Sequence, residues 1–318
     1  MLIGAAAAMG CNAISGVGDY EFGSPSTTST AGGTGGTSTG TAGSGGAPGG
    51  SGGTTSTGGT GGTGGAGAEG GAGGSAPTLV DRGLVVRYFI DEAGSGQGPS
   101  ELFDAAPNPL DLALTYSADL AFTSVSSGRG LRWTANNSSG DARATITGTK
   151  FHTMLHGSTT ATIEAVVDVT SVGGAYNHFT TVGPGGNAGD LSLFTASNTT
   201  VRLAWDSATD IGTWTVPMTT AGRIVLQAVL DTSLATATDR TRLYVDGVAA
   251  PRASGTPPAQ GSTVDLTPST TFVIGNGVGS TTLSIGGTIF YIAYYAEALS
   301  LDDLSTNAEL LAASDDTP

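Results

Sequence analysis

The chain has 318 residues, of which 53 are Gly, and its 26 acidic residues against 11 Lys and Arg give a formal charge of −15. Such an acidic chain is poorly suited to nucleic acid, because phosphate contacts need clustered Lys and Arg. A single Cys excludes a disulfide framework and a thiolate metal site. No nucleic acid is therefore expected among its partners.

The first ten residues, MLIGAAAAMG, are apolar and end at the only cysteine, Cys11. They are too few to span a bilayer, but they fit the apolar region of a secretory signal. With small residues before the Cys, this N-terminus resembles that of bacterial lipoproteins, with Ala8–Cys11 in the position of the lipobox. The resemblance implies a signal peptide over residues 1–10 and lipidation of Cys11, which anchors the chain to a membrane. An ordinary apolar N-terminus with an unmodified Cys is the alternative.

The residue after the cysteine is Asn12, not the Asp that often retains lipoproteins at the inner membrane, so the resemblance implies the outer membrane or the cell surface. Residues 11–22 are then the lipidated N-terminal segment, and residues 23–77 are a linker made almost entirely of Gly, Thr, Ser and Ala. So few apolar side chains cannot offset the entropy of ordering, which predicts a flexible coil with a span of roughly 40 Å. The remaining residues, 78–318, are predicted to form one domain.

Within this domain the apolar residues recur with the period of two that is typical of β-strands. In Thr162–Val169, for example, Ile163, Ala165 and Val167 lie on one face. The same reasoning predicts further strands at Leu84–Phe89, Leu191–Thr195, Thr200–Trp205, Arg223–Leu230, Thr241–Val245, Thr271–Ile274 and Thr288–Tyr295.

Two local signals complete the prediction of the fold. The pair Asp246-Gly247 predicts a type I′ hairpin turn, because both residues tolerate positive φ. Clear helical character is confined to Asp302–Ala313, which Ser300 can cap. Many short strands with little helix predict an all-β fold in which two antiparallel sheets pack as a sandwich.

Five motifs follow one another along the domain: the opening Gly83–Gly96, the strands Gly130–Trp133 and Ala161–Val167, the hairpin Arg242–Gly247 and the closing Gly287–Tyr295. In this order they resemble the laminin-G-like domains of the concanavalin A-like jelly-roll class. The resemblance implies two large antiparallel sheets, one of them concave. It also implies binding of glycans or proteins, in some members through Ca²⁺, and only some members are enzymes.

Catalysis on such a fold would be glycoside hydrolysis, which needs two carboxylates roughly 5–10 Å apart. Glu164 and Asp168 share a strand face at about 13 Å, which is too far and predicts a solvated face. No Glu-x-Asp-x-Glu cluster and no Gly-x-Ser-x-Gly elbow occurs. His152 and His156 have the spacing of a helical metal pair but lack an identifiable third ligand, and His178 is interpreted as a loop or strand residue. The sequence therefore favours a non-enzyme, with a glycosidase or lyase of unrecognised site as the alternative.

Two candidate sites remain. Oxygen ligands for Ca²⁺ are available in polar loops, although such residues also cap ordinary turns; they are Asp104, Asn108, Asn136 and Asp141. Aromatic side chains can form a platform for sugar rings, with core packing as the alternative; the candidates are Tyr291, Tyr294, Tyr295, Trp205 and Trp214.

Together these features predict a lipid-anchored, monomeric module that binds a glycan or an extracellular protein without catalysis. The second alternative is a structural lipoprotein of the bacterial envelope.

Overall fold

The computed structural model describes residues 77–316, apart from residues 126–127, 175, 185–188, 206–208 and 268. Cys11, the predicted signal peptide and the predicted linker up to residue 76 lie outside the described residues. Among the described residues, no helix is long and apolar enough to cross a membrane.

The described elements are almost all strands. In chain order, the strands are β1 (Leu84–Phe89), β2 (Glu101–Leu102), β3 (Leu112–Thr115), β4 (Leu120–Val125), β5 (Gly128–Trp133), β6 (Asp141–Thr145), β7 (Thr160–Ser171), β8 (Asn177–Gly183), β9 (Leu191–Ser197), β10 (Thr200–Trp205), β11 (Thr209–Thr215), β12 (Arg223–Asp231), β13 (Thr241–Val245), β14 (Val248–Ala249), β15 (Arg252–Ser254), β16 (Thr271–Ile274) and β17 (Gly286–Tyr295). The helices are α1 (Lys150–Leu155) and α2 (Leu301–Ala313), with a 3-10 turn at Ala237–Arg240.

These strands pair antiparallel in two sheets. Sheet A has the order β14-β13-β12-β7-β17-β5-β4, and β1 also pairs with β17. Sheet B has the order β15-β11-β10-β9-β8-β16-β6-β3-β2. The predicted all-β fold with two antiparallel sheets packed as a sandwich is confirmed.

The main core lies between the two sheets. Ile163, Ala165 and Val167 of β7 belong to it, as their period of two predicted. Phe151 of α1 stacks on Phe272 of β16 with ring centroids 4.9 Å apart, and both rings are fully buried. The alternation of apolar residues therefore directs one face of each sheet inward.

A second apolar cluster covers the outer face of sheet A. Helix α2 packs Leu304, Ala308 and Leu311 against Val166 of β7 and Val225 of β12. This helix therefore converts the face of sheet A opposite the main core from a solvated surface into an interior.

Ser300 caps helix α2, as the sequence predicted, and the structure adds a reciprocal capping box with Asp303. The Ser300 hydroxyl accepts the Asp303 N–H at 3.2 Å, and the Asp303 carboxylate accepts the Ser300 N–H at 3.1 Å. The predicted hairpin is also present, because Asp246 and Gly247 connect β13 and β14 with φ values of 51° and 77°.

Candidate functional site

A buried carboxylate lies under α2, at the centre of the outer face of sheet A. Glu164 of β7 is fully buried, and its oxygens accept from Gln227 Nε2 at 2.9 Å, from Asn307 Nδ2 at 3.0 and 3.1 Å, and from the Tyr295 hydroxyl at 2.8 Å. Burial raises the pKa of Glu164, and these hydrogen bonds oppose the rise. The predicted solvated face is thus wrong for Glu164, because α2 covers it; Asp168 is partly exposed.

Arg87 of β1 extends this network towards the start of the domain. Its guanidinium donates to the hydroxyls of Tyr291 and Tyr295 at 3.1 and 3.2 Å. It also donates to Asp81 Oδ1 at 2.7 Å and to the carbonyl oxygen of Val80 at 2.6 Å. These bonds hold the segment that precedes β1 against the sheet.

The same segment is attached directly to α2. Val80 N–H donates to Asn307 Oδ1 at 2.9 Å, while Asn307 also donates to Glu164 from its amide nitrogen. Arg82 forms exposed ion pairs with Glu297 and Asp303, which lie just before and within α2. We refer to the connected side chains Glu164, Arg87, Tyr291, Tyr295, Gln227 and Asn307 as the Glu164 network.

We refer to residues 77–81, which precede β1, as the entering segment. An open cleft of about 550 Å³ lies between the entering segment, β1 and the C-terminal end of α2. This volume is within the range of roughly 300–1,000 Å³ that is typical of ligand sites. We refer to it as the β1–α2 cleft, and it is lined by Pro77, Thr78, Leu79, Asp81, Arg87, Phe89, Ala105, Leu310, Ala313, Ser314 and Asp316. Because Arg87 belongs to both, the Glu164 network supports one wall of the cleft.

A smaller depression of about 190 Å³ adjoins the cleft and shares Phe89 and Ala105 with it. Glu92 lines this depression. One of its oxygens accepts the Phe103 N–H at 2.9 Å, and the other is buried without a hydrogen-bond partner among the described residues. Burial raises the pKa of Glu92 to about 7, although the bond from Phe103 opposes the rise.

The five aromatic residues expected to form a platform do not present their rings to solvent. All are at most 3% exposed; they are Tyr291, Tyr294, Tyr295, Trp205 and Trp214. The tyrosines of β17 face either the main core or α2, so both sides of that strand are interior. The expected platform is therefore absent at these positions, and the alternative of core packing accounts for them.

The four expected calcium ligands do not form one cluster. Asp104 is satisfied by protein groups, because its two oxygens accept from the N–H groups of Arg87, Ala106 and Leu110 and pair with Lys150 at 2.8 Å. These four contacts use the acceptor capacity of a carboxylate.

Asn108 lies in the same loop as Asp104, whereas Asn136 and Asp141 lie between and at the start of later strands. Asp141, at the start of β6, is buried and pairs through both oxygens with Arg143. Asn108 is exposed in a left-handed turn with φ of 55°, and Asn136 is partly buried. Across the described ranges, no group of three or more His, Cys, Asp and Glu side chains is placed to hold a metal ion.

The histidines take structural positions. His152 and His156 stack with ring centroids 4.9 Å apart, and His156 Nδ1 accepts the Leu266 N–H at 3.1 Å. His178 is buried in β8, on the outer face of sheet B, where its ring lies 5.3 Å from that of Phe194 and 6.4 Å from that of Tyr176. His178 therefore packs with aromatic side chains on this outer face and is interpreted as a structural residue.

Sequence reasoning named none of the residues of the β1–α2 cleft as ligand-binding. The cleft combines residues 77–81, strand β1 and residues 310–316, which are more than 200 positions apart. A weak local signal was present in the apolar pair Leu79 and Val80, which lies a few residues before β1 and contrasts with the Gly-, Thr- and Ser-rich tract before it. Only the fold reveals that this segment meets the end of α2.

Comparison with known proteins gives similarity of fold. No protein-family model and no characterised protein sequence matches the chain. The Trypanosoma rangeli sialidase in complex with 2,3-difluoro-KDN is 17% identical with a TM-score of 0.51, over 74% of this chain and 34% of that one. The same sialidase with the inhibitor DANA is 20% identical with a TM-score of 0.50, over 77% and 35%.

The binding domain of botulinum neurotoxin DC in complex with rat synaptotagmin II gives 10% identity and a TM-score of 0.49, over 75% of this chain and 53% of that one. This chain thus spans about a third of the sialidase and about half of the toxin chain. At such low identity the sialidase similarity shows the β-sandwich fold alone.

The Glu164 network can be tested by Asn307→Ala, which removes the amide that links Glu164 to Val80. The buried Glu164 then loses hydrogen bonds, as does the partly buried Val80 N–H, so we expect the free energy of unfolding to fall by about 2–4 kcal/mol. The matched control is Glu309→Ala on the exposed face of α2, with an expected change below about 0.5 kcal/mol. Urea unfolding followed by circular dichroism measures both; equal losses would refute a special role for Asn307.

Glu92 predicts a pH dependence of stability. Its pKa of about 7 in the folded chain lies above the ordinary value of 4.5, so its contribution is fully present below pH 4.5 and is lost as the pH rises through 7. We therefore expect Glu92→Gln to be more stable than the parent at pH 8, by on the order of 1 kcal/mol after allowance for solvent screening. The gain should vanish at pH 4.

Urea unfolding at pH 4, 6 and 8 measures this difference, with the exposed Glu309→Gln as control. A stability difference for Glu92→Gln that stays constant across the three pH values would contradict the expected titration of Glu92.

Proposed function

We propose that this chain is a non-catalytic recognition module that binds a glycan or an extracellular protein in the β1–α2 cleft. The observation that carries the proposal is the preformed cleft itself, with a mostly apolar lining and a few polar groups at its edge. This combination is typical of ligand sites. The sialidase similarity supports including sialylated glycans among the ligands to be tested.

The buried carboxylates are bonded to other protein groups, and this supports binding over catalysis. Hydrolysis of a glycoside needs an acid and a second carboxylate that both reach the substrate. Glu164 is enclosed under α2, and Asp104 and Asp141 are paired with Lys150 and Arg143. These three carboxylates stabilise the fold and are not available to a substrate.

Glycoside hydrolysis is nevertheless a second candidate, because of one observation. Glu92 lines the smaller depression with a pKa of about 7, which suits a general acid. Release of reducing ends from a polysaccharide panel by the full chain, lost in Glu92→Gln, would establish hydrolysis in place of binding alone.

We further propose that the module is exported and attached to the outer membrane or cell surface through a lipid on Cys11, as a monomer on the linker of residues 23–77. This proposal rests on the lipoprotein-like N-terminus. A structural envelope role remains the interpretation to adopt if the module has no ligand.

Lipidation is tested by Cys11→Ser in the full precursor, expressed in a bacterium. Loss of the thiol removes the attachment point, so we expect the protein to move from the membrane pellet to the soluble fraction. Asn12→Ser keeps the thiol and should remain in the pellet. Unchanged fractionation of Cys11→Ser would refute the anchor.

Binding in the cleft is tested by Ala313→Trp, which places an indole among the lining residues. The labelled full chain is applied to a glycan array that includes sialylated and neutral glycans and to a peptide array. We expect a signal on one of the arrays that falls at least tenfold in Ala313→Trp. Val248→Trp, at an exposed position outside the cleft, is the matched control and should bind as the parent does.

Silence on both arrays, or binding by Ala313→Trp equal to that of the control, would refute recognition through the cleft.

A further inference from the structure

The basic residue in the lining of the β1–α2 cleft is engaged already. Arg87 is the cation in its lining, and its guanidinium donates to Tyr291, Tyr295, Asp81 and Val80. A saccharide needs many directed hydrogen bonds, and the Arg87 guanidinium has few donors left to offer. The apolar remainder of the lining instead suits an aliphatic or aromatic side chain.

The apolar part of the cleft is continuous. Phe89 is only 6% exposed and lies beside Ala105, while Leu79 faces the cleft from the entering segment. Leu310 and Ala313 complete the lining from the last turns of α2. An inserted apolar side chain would therefore contact all three segments that form the cleft.

The edge of the cleft favours positive charge. The side chains of Asp81 and Asp316 are 76% and 38% exposed at this edge. Helix α2 ends there with no basic residue in its last turn, but Arg223 of β12 donates to the carbonyl oxygens of Leu311 and Ala312 and pairs with Asp315 at 3.1 Å. The exposed carboxylates Asp81 and Asp316, and not the helix end, therefore carry the negative charge of this edge. Arg129 offsets part of this charge, because it lies 3.4 Å from both Asp91 and Asp316.

The charge pattern also excludes two occupants from the chain itself. No Lys or Arg precedes Arg82, so the N-terminal tract of the chain supplies no cation. A second copy of the chain would bring another formal charge of −15 to an acidic edge. The complementary occupant is a different, basic polypeptide.

We propose that the β1–α2 cleft receives a segment of a partner protein in which a large apolar side chain lies next to Lys or Arg. The apolar side chain contacts Phe89, Leu79 and Leu310, and the cation lies near the exposed carboxylates of Asp81 and Asp316. This proposal rests on the proposed recognition function and names the ligand class of the same site.

The test applies the labelled full chain to a positional-scanning hexapeptide library, and the selected peptide is then titrated by fluorescence anisotropy. We expect enrichment of Leu, Ile or Phe beside Lys or Arg. Asp316→Asn should weaken binding of the selected peptide about five- to tenfold at low salt, and added salt should reduce the difference. Ala313→Trp should weaken binding at least tenfold.

Two controls isolate the cleft. Asp302→Asn removes the same charge from the exposed opposite end of α2 and should leave affinity within twofold, as should Val248→Trp. Melting temperatures of all variants establish that each is folded.

The outcomes separate this proposal from the function on which it rests. Glycan binding that Ala313→Trp abolishes, without peptide enrichment, refutes the basic peptide ligand and leaves recognition through the cleft intact. Peptide binding that is equal in Asp316→Asn and Asp302→Asn, or unchanged in Ala313→Trp, refutes the ligand class or its location. Absence of binding to both arrays refutes both proposals.

Discussion

The structure depends on how one buried carboxylate is hydrogen-bonded. Glu164 is withdrawn from water in the middle of sheet A, which is costly unless each of its oxygens accepts hydrogen bonds. Its donors come from β12, β17 and α2, so these three elements must all be placed correctly around β7. A hydrophobic contact tolerates small shifts, whereas these directed bonds do not. The network therefore specifies where α2 lies on the sheet.

The proposed binding surface follows from that arrangement. Arg87 joins the network to the entering segment, and Asn307 bonds the same segment from α2. With the segment held on one side and the end of α2 on the other, a gap remains over β1. The cleft thus results from the attachment of the entering segment and of helix α2 to the same face of sheet A. The hydrogen bonds of Arg87 and Asn307 hold both of its sides in place.

The strands that alternate clearly were predictable from sequence. The bounds of β1, β10, β13 and β16 match the predicted ones, and β7, β9, β12 and β17 extend the predicted segments by a few residues. Short strands such as β2 and β14 carry too few residues to show a period. The alternation of residues on β7 also distinguished its two faces. It could not indicate that α2 covers the face opposite the main core, and for this reason Glu164 was predicted to face solvent.

The site was far less predictable than the fold. Aromatic residues such as Tyr295 have the composition of a ligand platform, yet their hydroxyls serve Glu164 and Arg87. Asp104 is of a residue type that binds calcium, yet its oxygens accept hydrogen bonds from backbone N–H groups and pair with Lys150. Residue type shows which bonds are possible, and only the packing of distant segments decides which are made.

The pairing of β1 with β17 has a consequence for the order of folding. Leu84 lies opposite Tyr295, so the first described strand pairs with the last one, about two hundred residues later. Such non-local pairing is slow, because a long loop must close before any contact is gained. During synthesis β1 has no partner until almost the whole domain has left the ribosome. Sheet A can therefore be completed only when nearly the whole domain has been synthesised.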